Sequence, residues 1–358
     1  MAKISIGTVW VLTTILAWMS PLAIRAQAPP PMNPIETILH SDERFAPLVA
    51  DPDRYRLQVL LGLIEPGEDG APRLVQHGYR LEAEYFYPAS SIKLCAAVAA
   101  LEEVGRLAEA TDLPIEPTTP MIYHPLFDDE VLEAEDPSNL KGGHITIEHE
   151  IRKLFLVSDN TAYNRLYELV GQDALNRSMH RAGLDSARIV HRLSEFRTVD
   201  ENRRMPRITF QGSEFRHVVP PRTSRDEIVP ITVGGLDIGR AFLRGGETIE
   251  KPLDFRPKNR MALADLQRAL AKVVRPDLDL GSPSFELDEG QRALLLEPMR
   301  QLPRESQNPV YEAKEYPDDY VKFLLPGLER LVPKERLQIF NKIGQAYGFS
   351  TENAYVKD

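Results

Sequence analysis

The chain has 358 residues, a formal net charge of −10 and 42% hydrophobic residues, enough apolar content for a sizeable core in one large domain or two smaller ones. The acidic balance, with no Lys/Arg stripe interleaved with aromatics, argues against nucleic acid as the main partner. A single cysteine, Cys95, excludes an internal disulfide framework.

The N-terminus reads MAKISIGTVWVLTTILAWMSPLAIRAQAPPP. Lys3 supplies a positive start, Val9 to Leu16 an apolar run, and Ala26-Gln27-Ala28 a small-residue cleavage zone, so residues 1–28 are expected to be a secretory signal and the mature protein to be secreted or periplasmic. The competing reading is an uncleaved anchor, and Pro29 would hinder a cut directly after Ala28. No cysteine near the site suits a lipid anchor. No later stretch reaches the ~18 apolar residues that span a bilayer, so no stable membrane span is expected after cleavage. PPPMNP opens a stiff linker assigned to residues 29–50, with ordered structure expected from about residue 36 and the main domain at 51–358.

RLQVLLGLI (56–64) reads as a strand, PRLVQHG and YRLEAEYFY as further short strands or extended segments, two or three early strands in all. A helix is expected from Ser90, with Pro88 ahead of it and Gly105 near its end. Cys95 falls in its alanine-rich run as a small buried hydrophobe. Residues 111–144 are proline- and acid-rich and read as loop. ITIEHEIRKLFLVSDNTAYNRLYELVG (145–171) reads as helix, break, helix, with the break at Ser158-Asp159-Asn160, residue types that cap and turn. DALNRSMHRAG is a further short helix. RMALADLQRALAKVV (260–274) and EGQRALLLEPMRQL (289–302) have amphipathic spacing. PDDYVKFLLPGLERLVPKERL reads as proline-interrupted helix. RLQIFNKIGQAYGFSTENAYVKD reads as strand, turn, strand. Strands at both ends with helices between predict an α/β (α+β) sandwich in which one antiparallel sheet joins the two ends of the chain.

Ser-x-x-Lys is a weak signal and occurs twice, at Ser90–Lys93 and Ser138–Lys141. The second lies in turn-rich DPSNLKGG, where Lys141 would be solvated. The first lies at a helix start, and its spacing puts Lys93 on the face of Ser90, one turn along. A serine oxygen needs a base to become a nucleophile. A lysine can be that base where burial disfavours its ammonium form. On its own the pair reads more readily as a helix-capping serine before a surface lysine. Ser158-Asp159-Asn160 adds a hydroxyl and an amide that can relay a proton and hold a carbonyl. Lys342-Ile343-Gly344, on the late strand, adds a fixed positive charge and a glycine beside which a substrate can lie close to the backbone.

The order S-x-x-K, S-D-N, K-x-G, at a helix start, an interhelical loop and a late strand, resembles the serine β-lactamase and penicillin-binding protein superfamily. The likeness is greatest to class A β-lactamase-like serine hydrolases and covers about residues 50–200 and again from near 335. An enlarged segment at about 203–330 lies between, as a lid or a peripheral helical layer. The resemblance implies Ser90 as nucleophile and Lys93 as its base. It implies Ser158 as the proton donor to the leaving nitrogen, and Asn160 and Lys342 as substrate-binding groups. Gly344 marks the close approach, and the backbone N–H groups of Ser90 and Gln345 form the oxyanion hole. It implies no cofactor and no metal; the histidines contain no H-E-x-x-H.

Three departures stand out. Ile343 replaces a hydroxyl residue that would bind the substrate carboxylate, so the pocket should prefer a different substrate or bind penicillins weakly. The E-x-x-L-N pattern carrying the deacylating glutamate is absent from HRLSEFRTVDENRR; Glu195 has the better spacing for that role and Glu201 lies later. The family also has a further strand and a terminal helix after the K-T-G hairpin, which leads to the expectation of a C-terminal truncation and marginal stability. The leading expectation is an exported class A-type hydrolase that opens a β-lactam through an acyl-enzyme. A penicillin-binding peptidase with slow deacylation, acting on cell-wall peptide, is the second reading, and a non-catalytic binding module on the same fold is the third.

Overall fold

The computed structural model describes residues 33–357. The expected signal at 1–28 lies outside them. Order begins within the assigned linker: helix α1 (Pro34–Ser41) starts at Asn33, whose side chain accepts from Ile35 N–H, with proline in the first turn. Ile35 and Leu39 are buried, and Asn33 Nδ2 donates to Gly78 O at 2.5 Å. The N-terminal segment is therefore docked on the domain, ahead of residue 51.

Strands β1 (Val59–Pro66) and β2 (Pro72–Tyr79) form an antiparallel hairpin with Val59 opposite Tyr79. Two early strands form, and YRLEAEYFY makes no strand of its own beyond Tyr79, which ends β2. Arg80 and Glu82 have φ of 52° and 60°, incompatible with extended pairing, and Arg80 is drawn to Glu84 at 2.7 Å and to Asp53. The chain then enters a 3-10 turn at Ala89–Ile92 and helix α2 (Lys93–Thr111). Helix α2 passes through Gly105 and ends at Asp112, whose φ of 55° supplies the left-handed cap. A glycine inside a helix costs only about 1 kcal/mol, and the buried Val104 and Leu107 that flank it offset that cost.

Helix α2 is the centre of the core. Ile92 and every residue from Leu94 to Leu101 are buried, Cys95 among them with a free thiol. Around it pack α3 (Ile147–Leu156), α4 (Asn160–Val170), α5 (Gln172–Arg181), α6 (Leu263–Val274) and α7 (Glu289–Arg300). These match the amphipathic runs read from the sequence, and the break falls at residues 157–159 as expected.

The remaining strands lie in separate antiparallel groups. Strands β3 (Met121–Tyr123), β4 (Ile208–Gln211) and β5 (Arg216–Val219) form one small sheet. The enlarged segment contributes the pairs β6 (Asp237–Ile238) with β9 (Leu253–Asp254) and β7 (Phe242–Arg244) with β8 (Glu247–Ile249). Its part before α6 is loops and short hairpins, and α6 and α7 form its helical part. The 317–337 run is helical only at Leu325–Leu328; Pro317, Pro326 and Pro333 leave no longer stretch free of breaks.

The late hairpin, β10 (Gln338–Ala346) and β11 (Phe349–Lys357), follows the expected strand–turn–strand pattern. Helix α6 contacts both β11 and β1, so the chain's two hairpins share a packing partner. They share no strand pairing, and a cleft of about 480 Å³, lined by Leu57–Leu60 on one side and Tyr347–Glu352 on the other, lies between them. The mixed α/β fold with antiparallel pairing is thus present, with several small sheets where one continuous sheet was expected. No helix among the described residues is long and apolar enough to cross a membrane.

Truncating Leu101, fully buried at the centre of α2, should destabilise the fold by about 2–5 kcal/mol. Urea unfolding of Leu101→Ala against the unsubstituted chain measures this directly.

Candidate active site

Three segments distant in sequence meet at the start of α2. Ser90 lies in the 3-10 turn, half-buried, and follows Ala89, whose φ of 47° is a conformation that non-glycine residues seldom adopt. This turns the chain sharply and presents Ser90 beside the head of the helix. Lys93, one turn later, is fully buried.

The Lys93 amine is held by the interhelical loop. Nζ donates to Ser158 O at 2.5 Å, to Asp159 O at 3.1 Å and to Asn160 Oδ1 at 2.7 Å, with Ser158 Oγ at 3.5 Å. Among the described residues none of its hydrogen bonds goes to Ser90 Oγ. Burial brings its pKa down to about 7, opposed only in part by the Asp159 carboxylate. Ser158 is again strained, with φ of 57°, and Asp159 caps α4 by accepting from Ala162 N–H at 2.7 Å.

Lys342 enters from β10. Its Nζ donates to Ser158 Oγ at 2.8 Å and to Ile343 O at 3.0 Å. Burial, then the nearby Lys93, holds its pKa well below the ordinary lysine value. Ser158 Oγ therefore lies between two amines that disfavour each other's charge. Gly344 marks the closest backbone approach: a Cβ there would be 2.3 Å from Pro88 O, 2.9 Å from Ser91 N and 3.1 Å from Ser90 N. No side chain fits, so the strand can lie directly against the serine turn. Gln345 follows, exposed, on the same strand. Ile343 is buried and offers no hydroxyl.

The loop after α5 closes another side. Asn160 Nδ2 donates to Ser194 Oγ at 2.8 Å. Asn164, one turn beyond Asn160, accepts from Leu193 N–H at 2.8 Å and donates to Leu193 O and Glu195 Oε2, each at 3.1 Å. Glu195 thus lies next to a residue that touches Asn160, with its carboxylate engaged by Asn164 and by Arg197 Nε at 2.6 Å. Glu201 is spent on a capping box with Thr198. Ser194 and Asn164 were not singled out from the sequence; the i, i+4 spacing of Asn160 and Asn164 is the signal that pointed to them. The second Ser-x-x-Lys is elsewhere, with Lys141 exposed and paired to Glu148 at 3.1 Å. Among the described residues no group of three His, Cys, Asp or Glu side chains is placed to hold a metal ion.

Residues 79–214 match the model of the beta-lactamase enzyme family. This segment is β-lactamase-like. That β-lactamase-like segment contains Ser90, Lys93, Ser158, Asn160 and Glu195. Lys342 lies outside it and is joined to it by the 2.8 Å bond to Ser158. Comparison with curated proteins finds no match. Among solved structures the chain is similar to a β-lactamase from Desulfarculus baarsii, at 17% identity and a TM-score of 0.45 over 87% of this chain and 81% of that one. It is also similar to class A β-lactamases from Mycobacterium abscessus (15%, 0.43, over 87% and 84%) and Clostridium kluyveri (14%, 0.44, over 88% and 85%). Scores of this size carry no weight for the chemistry, which rests on the site's own geometry.

Two outcomes follow from this geometry. Gly344→Ala should push β10 off the serine turn, costing about 1–3 kcal/mol of stability; urea unfolding reads that loss, and reaction of Ser90 with an acylating reagent should slow with it. If Lys93 is the base, its neutral form is the active one. Reaction at Ser90 should then rise with pH up to about 7 and level off above it, as a pH series of acylation rates would show.

Proposed function

We propose that the chain is an exported serine hydrolase of class A β-lactamase type, opening a β-lactam amide through an acyl-enzyme on Ser90. The family match over 79–214 supports a hydrolase of this superfamily. The observation that carries the finer reading is the buried Lys93, its pKa brought down to about 7 one turn after a half-buried serine. Export is supported by the charged, apolar and small-residue pattern of residues 1–28.

In this reading Ser90 Oγ attacks the amide carbonyl and its proton passes to neutral Lys93. The Ser90 and Gln345 backbone N–H groups stabilise the oxyanion. Ser158 Oγ, held by Lys342 and within 3.5 Å of Lys93, gives its proton to the leaving nitrogen and is reprotonated from Lys93. Lys342 and Asn160 bind the substrate. Water then attacks the ester carbonyl with Glu195 taking its proton, and as the intermediate collapses that proton returns to the leaving Ser90 Oγ, which frees the enzyme.

A second reading is favoured by one observation. Glu195 is engaged by Arg197 and Asn164, which leaves its carboxylate less free to activate water. A slow deacylation of this kind is the behaviour of a penicillin-binding peptidase acting on cell-wall peptide.

Intact mass followed over time after one addition of benzylpenicillin separates these. The expected result is an adduct that appears and vanishes, is absent in Ser90→Ala, and lasts about a hundredfold longer or more in Glu195→Gln. A lasting adduct on the unsubstituted chain selects the peptidase reading. No adduct on a chain shown to be folded overturns both and leaves a binding module.

A further inference from the structure

Beside the candidate site lies a cavity of about 610 Å³, walled by residues 188–202 on one side and by the hairpins of the enlarged segment on the other. That volume suits a drug-sized group. Its charge is unbalanced. Of its three carboxylates, Glu195 is taken by Arg197 at 2.6 Å. Asp237 and Asp254 are both taken by Arg256, at 2.8 Å each. Among the described residues, no carboxylate forms an ion pair with Arg188, Arg244, Lys251 or Lys258, all of which line the cavity. Arg188 is buried at 8% exposure, and its guanidinium is met by the carbonyls of Val229, at 2.9 Å, and Lys258. A buried cation without a counter-ion is costly, and a bound anion would relieve it.

The cavity also has apolar surface to cover. Phe196 is 82% exposed, and Phe242 stands on the opposite wall under the Arg244 guanidinium, 5.4 Å from its ring centre. Two contacts connect the cavity with residues beside the candidate site. On one wall, Glu195 adjoins Ser194, which accepts from Asn160. On the other, Lys258 Nζ lies 5.3 Å from the centre of the Tyr347 ring, two residues beyond Gln345. Tyr347 packs edge-on to Tyr87, and Tyr87 stacks on His191, which lines the cavity. His191 Nδ1 lies 2.5 Å from Arg192 O, and its buried Nε2 has no partner. Nδ1 is then the protonated nitrogen, and Nε2 adds no charge of its own.

We propose that this cavity is a subsite for the acyl arm of the substrate and that it selects an arm combining an apolar body with a carboxylate. The inference rests on acylation of Ser90. The arm's ring or chain lies against Phe196 and Phe242, and its carboxylate is met by Lys258, Lys251 and Arg244 at the rim, with Arg188 beneath. The selectivity resides in the enlarged segment, which supplies three of these four cations.

The test compares benzylpenicillin with α-carboxybenzylpenicillin, which differs only by a carboxylate on the arm. Acylation of Ser90 by each is timed by intact mass in the unsubstituted chain and in the triple variant Arg244→Ala, Lys251→Ala, Lys258→Ala. All three positions lie outside the catalytic set. The carboxylated drug should react about three- to thirtyfold faster with the unsubstituted chain, as expected of a few solvent-accessible charges. The variant should lose that preference while its rate with benzylpenicillin stays unchanged. Equal rates for the two drugs in the unsubstituted chain, or an equal loss with both drugs in the variant, would overturn the subsite. A second measurement does not depend on Ser90: calorimetric titration with phenylmalonate, the carboxylated arm alone, against phenylacetate. Saturable, salt-sensitive binding of phenylmalonate that the triple variant weakens supports the cavity even where no penicillin reacts, in which case the acylation reading alone fails. Acylation without phenylmalonate binding overturns the cavity and leaves the acylation reading standing.

Discussion

The site depends on taking the Lys93 ammonium out of water. A lysine at the first turn of a helix would ordinarily reach solvent, but here the first half of the helix is buried on all sides and the amine with it. Its donors must then be satisfied locally. The Ser158 and Asp159 carbonyls and the Asn160 amide oxygen do so. The bonds that satisfy Lys93 thereby fix the interhelical loop against the serine turn, and the desolvation that makes them necessary also lowers the lysine's pKa. Lys342 reinforces this from the other side of Ser158, since two amines so close cannot both be charged without cost.

That arrangement needs a rigid support, because Ala89 and Ser158 are both in the left-handed region and would relax if free. Behind the loop, a buried ionic cluster links α3 and α4 to the 133–144 segment. Lys153 reaches Asp136 at 2.6 Å and Glu150 at 3.4 Å, and Arg165 reaches Glu150 at 3.0 Å and Glu133 at 2.8 Å. Lys153 O also accepts from the N–H groups of Val157 and Asp159, so the cluster sits directly under the strained turn. On the strand side, buried Lys322 donates to Met299 O and Ile339 O, at 2.9 Å each, and to Asn341 Oδ1 at 2.8 Å. This ties β10 to the end of α7 one residue before Lys342. Three buried lysines are thus used in different ways: Lys93 and Lys342 meet at Ser158, while Lys322 secures the strand.

The loop holding Ser194 and Glu195 is positioned by a different device. Asn164 binds both backbone groups of Leu193 and a Glu195 oxygen, so its amide sets how far the loop stands from α4. The loop therefore belongs at once to the serine site, through Ser194, and to the wall of the charged cavity, through Glu195. In the proposed subsite, a substrate arm that leaves the serine site in this direction meets the enlarged segment.

The sequence by itself determined the elements whose signals are local. Helices α3, α4, α6 and α7 follow from apolar spacing, the break at 157–159 from capping residues, and the late hairpin from its strand–turn–strand pattern. Ser90, Lys93, Ser158, Asn160 and Lys342 were legible because three short motifs occur in a fixed order, although each alone means little. Where tertiary partners override local preference, the sequence misleads. Helix α2 runs through Gly105 because burial on both sides outweighs the glycine. YRLEAEYFY fails as a strand because Arg80 turns toward carboxylates. The 317–337 run is helical only at Leu325–Leu328, with its prolines in the way and Lys322 drawn inward to bonds from elsewhere in the chain. Only the tertiary structure decided that Gly344 touches the serine turn and that Arg188 shares one cavity with Arg244, Lys251 and Lys258. These are distances between residues tens to hundreds of positions apart, and no periodicity or motif encodes them.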